Sequence, residues 1–267
     1  MIKIFDCKNL NYLSKLKLVL EKRRHSSKIN TDNVIKIVRD IKVNKQKALI
    51  KYEKKFSKNS KIKPSKKEIN NSIKSLDPKI KNAIDFAYSR ILKFHSLQKT
   101  KNIKYLDKQN NKIEYRYIPI QSIGIYVPAN LPSSLLMNAI PAKKIAKVKR
   151  VVLANPRLNG KLNPAVMYAA KKCGISEIVS AGGSQAIASL AYIQRVNKII
   201  GPGNDYVARA KKEVFGDVGI DMVAGPSEVS IVGDKYSDPN LIAADLIAQA
   251  EHDIYAQSIL ITDNKKL

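Results

Sequence analysis

From residue 151 to residue 263 the chain alternates regularly between short apolar, β-branched runs and amphipathic helical stretches, and nothing else in the sequence restricts the fold as much. The runs VVLA (151–154), EIVSA (177–181), NKIIG (197–201), IDMVAG (220–225), EVSIVGD (228–234) and AQSILITD (256–263) read as strands. Helical spacing fills the intervals from about Pro164 to Lys172, from Ser184, from Asn204, and from about Pro239 to His252. Near-continuous apolar strands joined by crossover helices build a mostly parallel sheet whose two faces are both covered. The expected fold class is α/β, with Rossmann-like parallel sheet lobes and helices on both faces.

Upstream the pattern is different. Apolar residues recur at three- and four-residue spacing (Val34, Ile35, Ile37, Val38, Ile41; Ile69, Ile73, Leu76, Ile80, Ile84), which predicts amphipathic helices over about 30–56 and 64–97. The segment EYRYIPIQSIGIYV (114–127) changes to β-branched and aromatic residues and marks a boundary near 112–118. The expected organisation is a basic helical region over 1–114, an α/β lobe over 115–233, and the start of a further α/β segment over 234–267. A covering helix would normally follow the strand 256–263, yet only four residues remain, so a truncated chain is expected.

Charge concentrates in the first part. Of 49 Lys and Arg against 22 Asp and Glu, residues 1–120 hold 32 and 10, and residues 121–267 hold 17 and 12. In KNSKIKPSKKEINNSIK (58–74) the lysines are scattered among Asn, Ile and Ser without interleaved aromatics. That pattern reads as a solvated helical surface with no nucleic-acid partner, and nucleic-acid binding is the alternative the charge raises. No apolar run reaches the length of a membrane span, and MIKIFDCKNL carries no apolar segment behind a basic one. A cytoplasmic protein without a membrane partner is expected. Cys7 and Cys173 are too far apart in sequence, and too few, to suggest a disulfide framework or a thiolate zinc site.

Three Gly-containing junctions follow strands: AGGSQAIASLAY (181–192), GPGNDYVARAKK (201–212) and AGPSEVSIV (224–232). The first two set backbone N–H groups at a helix start, which suits a pyrophosphate or another anion, although neither is a GxGxxG fingerprint. Three such junctions at strand ends favour a ligand at the carboxyl edge of the sheet. In QAEHD (249–253), Gln249 and His252 lie three apart on one helical face, a spacing at which two side chains reach one metal. The same spacing also suits a cap or a surface pair.

The segments GIYVP, PSSLLMNAIPA, GGSQAIASLAY, GPGNDYVA, GIDMVAGPSEV and QAEHDIYAQ together, in this order, resemble the histidinol dehydrogenase family, densely over 115–263 and more weakly over the N-terminal helices. The resemblance implies a zinc enzyme of histidine biosynthesis that oxidises L-histidinol through histidinaldehyde to L-histidine, reducing two NAD molecules in succession. It implies NAD binding at Tyr126, Gln185 and Asn204, and substrate binding at Ser227, Gln249 and His252. Gln249 and His252 match two of the zinc ligands, and the family is a homodimer that completes its zinc site across subunits.

The family's catalytic Glu-His pair and its remaining Asp and His ligands would lie beyond Leu267, so the resemblance implies a fragment that is inactive alone. Glu251-His252 belongs to the QAEH motif and is not that pair. The alternatives are an inactive remnant or a non-catalytic subunit that depends on a partner. Two loops are shorter than the family pattern, Ala129 to Leu131 after Pro128 and Ile193 to Arg195 after Tyr192.

Overall fold

In the computed structural model, which describes residues 2–22, 31–223, 228–251, 256–265 and 267, the chain runs α1 (Tyr12–Lys22), α2 (Thr31–Ser57), α3 (Lys66–Lys74), α4 (Pro78–Ser96), β1 (Ile103–Leu106), β2 (Lys112–Tyr115), β3 (Ser122–Tyr126) and α5 (Pro132–Ala139). A π-helical extension of α5 covers Ile140–Ile145. Then come β4 (Arg150–Ala154), α6 (Pro164–Cys173), β5 (Glu177–Val179), α7 (Gly183–Tyr192), β6 (Lys198–Ile200), α8 (Asp205–Val214), β7 (Gly219–Ile220), β8 (Glu228–Gly233), α9 (Pro239–Ala250) and β9 (Gln257–Thr262). Two units result, one of residues 30–223 and the other of residues 1–29 with 224–267.

The larger unit is built on five parallel strands in the order β5-β4-β3-β6-β7. β3 is buried at every residue and lies in the middle, with Ile123 opposite Val151 on one side and Lys198 on the other. This is the strand order of a doubly wound sheet, in which the winding reverses between β3 and β6. Right-handed crossovers on either side of β3 send α5 and α6 to one face and α7 and α8 to the other. α5 packs with α6, and α7 packs with α8. The α/β expectation with helices on both faces agrees with this architecture.

The N-terminal helices form two further layers of the same unit. α3 packs on α6, and α4 on α5, α6 and the π-helical turn, whereas α2 packs on α7 and α8. The apolar spacing of the sequence explains these contacts: Val34, Ile37, Val38, Ile41 and Leu49 of α2 are buried, and Ile69 and Ile73 of α3, Leu76 of the link that follows and Ile84 of α4 pack into the core around Leu135, Leu136 and Met167.

Local chemistry sets the helix ends. The stretch read as one helix over 64–97 divides because Asp77 accepts from Lys79 N at 2.7 Å and Pro78 occupies the first helical position. α6 begins the same way, with Asn163 Oδ1 accepting from Val166 N at 3.1 Å, and ends on Gly174 at φ 78°. α2 breaks at Lys45 (φ 47°, ψ −127°), where neither Gly nor Pro announces a kink. Asp40, ahead of the break, accepts from Asn44 Nδ2 (2.7 Å), Lys51 Nζ (2.9 Å) and Tyr52 Oη (2.8 Å), so one carboxylate ties both halves together.

In the smaller unit β8 and β9 pair in parallel from Glu228 opposite Gln257 to Gly233 opposite Thr262, with α9 as the crossover packed on both. Among the described residues no helix is long and apolar enough to cross a membrane.

Candidate active site

The carboxyl edge of the five-stranded sheet gathers the glycine-containing junctions that lie in the larger unit. Tyr126 ends β3, residues 180–182 join β5 to α7, and residues 201–204 join β6 to α8. At the switch point Gly201 has φ 120°, and a Cβ there would lie 2.1 Å from the Tyr126 carbonyl oxygen. Only glycine lets the β6–α8 loop rest directly on β3.

An ion pair with a buried lysine fixes that loop. The Lys211 ammonium, on α8, donates to the Gly201 carbonyl and to Asp221 Oδ1 at 2.7 Å, while Asp221 Oδ2 accepts from Gly201 N at 2.8 Å. Both polar backbone groups of Gly201 are thereby satisfied by one Lys–Asp pair. Asn204, exposed at the end of the loop, caps α8 by accepting from Val207 N at 3.2 Å. Ser184 Oγ donates to Tyr206 O at 3.2 Å and links the starts of α7 and α8.

The first turn of α7 meets an unexpected partner. Glu53, on α2 and wholly buried, accepts at Oε1 from Gly182 N (2.9 Å) and from Gln185 Nε2 (2.8 Å). Gly183 N, at φ 57°, donates to the Tyr126 hydroxyl at 3.3 Å. The sequence suggested an anion at this turn, and the structure places the Glu53 carboxyl group there, at a helix N-terminus. Burial lifts the Glu53 carboxyl above its ordinary range, against the opposing pull of the Gly182 and Gln185 hydrogen bonds. Burial likewise raises the Tyr126 phenol, so this side chain remains a neutral hydroxyl at physiological pH.

Further polar groups stitch the edge. Asn155 Nδ2 donates to Val127 O and Pro128 O, both at 3.1 Å, which fixes the short link between β3 and α5. Asn59 Nδ2 donates to Ser180 O at 3.0 Å, and Ser180 N to Ile62 O at 2.6 Å, so the segment after α2 lines the exit of β5.

Of the residues singled out in the sequence, Tyr126 and Gln185 meet around the 182–185 turn, and Asn204 stands on the loop that rests on Tyr126. Gln249 belongs to the smaller unit, on α9, with Nε2 buried and without a hydrogen-bond partner among the described residues. Ser227 and His252 lie outside the described residues. Glu53, Asn155, Lys211 and Asp221 were not anticipated. The register of Glu53 is a usable signal: it falls four residues after buried Leu49, where the apolar stripe of the helix should continue.

A family model described as Histidinol dehydrogenase matches residues 20–267. The histidinol dehydrogenase of Pelagibacter ubique (strain HTCC1062) is 60% identical over 275 aligned residues, which cover 100% of this chain and 64% of that protein. That of Rhodospirillum rubrum is 43% identical, covering 92% of this chain and 59% of its own length. A crystal structure of histidinol dehydrogenase from Elizabethkingia anophelis superposes with a TM-score of 0.83 at 38% identity, over 91% of this chain and 58% of that one. The chain spans between 58% and 64% of the length of these relatives.

Proposed function

The chain belongs to the histidinol dehydrogenase family, and we propose that it supplies the cofactor-binding part of an enzyme that oxidises L-histidinol through histidinaldehyde to L-histidine. The observation that carries this reading is the family match across 20–267, joined to a five-stranded sheet whose switch point gathers Tyr126, the 182–185 turn and the loop bearing Asn204.

The donor set suits NAD. A neutral phenol, a carboxamide and a second carboxamide at a helix start line one sheet edge, where a dinucleotide finds hydrogen-bonding groups for its polar parts. Tyr126, Gln185 and Asn204 would hold it, and bound NAD would accept a hydride in each of the two oxidations. The chain's own contribution is positioning. The Lys211–Asp221 pair sets the height of the Gly201 loop, and Asn155 sets the β3–α5 link, so the groups that orient the cofactor are fixed before it arrives.

Ser227, Gln249 and His252 are the substrate contacts in this proposal, the last two doubling as zinc ligands. Among the described residues no group of three His, Cys, Asp or Glu side chains gathers, and Gln249 is the one described ligand, against the usual three protein ligands of a catalytic zinc. The described residues by themselves do not fit the ion. Assembly of the site across two copies in a cytoplasmic homodimer completes the proposal.

A family-length polypeptide carrying this segment, given zinc, NAD and L-histidinol, is expected to yield two NADH per histidine formed, followed by absorbance and product chromatography. The 267-residue chain alone is expected to yield none above background. Absence of NADH from the longer protein would contradict the assignment, and turnover by the short one would contradict the placement of the catalytic bases.

A further inference from the structure

A buried carboxyl group needs compensation in a protein interior, because removing it from water costs free energy unless hydrogen bonds or an opposite charge replace the lost solvation. Glu53 has no exposed surface and, among the described residues, no ion pair; its Oε2 is buried without a hydrogen-bond partner among those residues, while the Ser57 and Asn59 side chains also favour its charged form. What it does have is one oxygen shared by two donors of the same turn, the Gly182 backbone and the Gln185 side chain.

We propose that Glu53 is a positioning residue of the cofactor edge, an internal hydrogen-bond acceptor that occupies the start of α7 and sets the Gln185 carboxamide in the orientation used for NAD. The inference rests on the reading of Tyr126, Gln185 and Asn204 as cofactor contacts, and it adds a residue from an N-terminal helix that none of the recognised motifs contains.

The geometry argues for position. Gly183 takes a left-handed φ of 57°, and a Cβ there would meet Gln185 Oε1 at 3.3 Å, so this residue leaves room for the folded-back carboxamide. Glu53 then fixes Nε2, which leaves Oε1 as the free end of an oriented amide. With Glu53 on the start of α7, the Gly182 N–H is committed to the protein. A cofactor at this edge is therefore held by side chains rather than by a backbone cradle, which matches the absence of a GxGxxG sequence.

The test uses three variants of the 267-residue chain, each titrated with NAD by calorimetry while amide hydrogen exchange follows Gly182. Glu53→Gln keeps an acceptor at Oε1 and is expected to bind within about threefold of the parent, with Gly182 still protected. Glu53→Met fills the volume without accepting and is expected to weaken NAD about tenfold, the loss of an oriented hydrogen-bonding group, and to speed exchange at Gly182. Should Glu53→Met fail to fold, Glu53→Asp keeps the carboxyl group one methylene short of the turn and is expected to behave in the same direction.

Parent-like affinity and protection in folded Glu53→Met or Glu53→Asp would overturn the proposal, as would a Glu53→Gln loss as large as theirs. If the parent itself does not bind NAD, the cofactor reading fails separately, and the exchange at Gly182 alone then decides whether Glu53 orders the turn.

Discussion

Gly201 shows how a single residue constrains this site. Its φ of 120° and the 2.1 Å separation between a built Cβ and the Tyr126 carbonyl leave no room for a side chain, because the obstacle is backbone. Gly201→Ala is expected to destabilise the larger unit by about 3 kcal/mol, the sum of a left-handed conformation and a displaced strand, read as a lowered midpoint in urea unfolding. The GPGN motif made this glycine conspicuous in the sequence. Lys211, by contrast, reads there as one more lysine on a solvated face, since its partner Asp221 lies ten residues on, across β7. Glu53 is hidden in the same way within the basic run KYEKKFSK, and only its register after Leu49 marks it as inward-facing. Charged side chains that serve the site are hard to read because their partners come from distant segments, whereas a motif glycine carries its constraint locally.

At the scale of elements, periodicity located the helices but not their interruptions. The strands VVLA, EIVSA and NKIIG appear at nearly the expected positions because burial on both faces leaves an unbroken apolar run. α2 was legible as a helix over 30–56, yet the break at Lys45 depends on a tertiary tie, the Asp40 carboxylate that bonds Lys51 and Tyr52 beyond it. Hydrogen bonds from Lys51, Asn44 and Tyr52 hold the Asp40 carboxyl down at about 2, below its ordinary 3.8. A depressed carboxyl contributes stability that is fully present above its unfolded value and is lost as pH falls through the folded one. The difference in thermal midpoint between the parent and Asp40→Asn is therefore expected to be constant near neutrality and to shrink between about pH 4 and pH 2, measured by circular dichroism. A difference that stays flat across that window would show that the tie does not hold the kink.

On the scale of the whole molecule, the N-terminal helices account for both the charge asymmetry and the construction of the site. α2 closes one side of the sheet and α3 with α4 the other, so their inward faces are apolar while lysines populate the outward ones. The sequence separated a basic helical region from an α/β lobe by composition, and composition cannot show that Glu53 and Asn59, from before residue 60, reach the carboxyl edge of strands formed after residue 120. That long-range closure makes the proposed cofactor edge a product of the larger unit as a whole. The most direct test is a map of backbone amide shifts in the 267-residue chain during titration with NAD alone. Shifts concentrated at Tyr126, Gly182 to Gln185 and Gly201 to Asn204 are the predicted result, and saturable shifts confined to other parts of the chain, or none at millimolar NAD, would contradict a cofactor site at this edge.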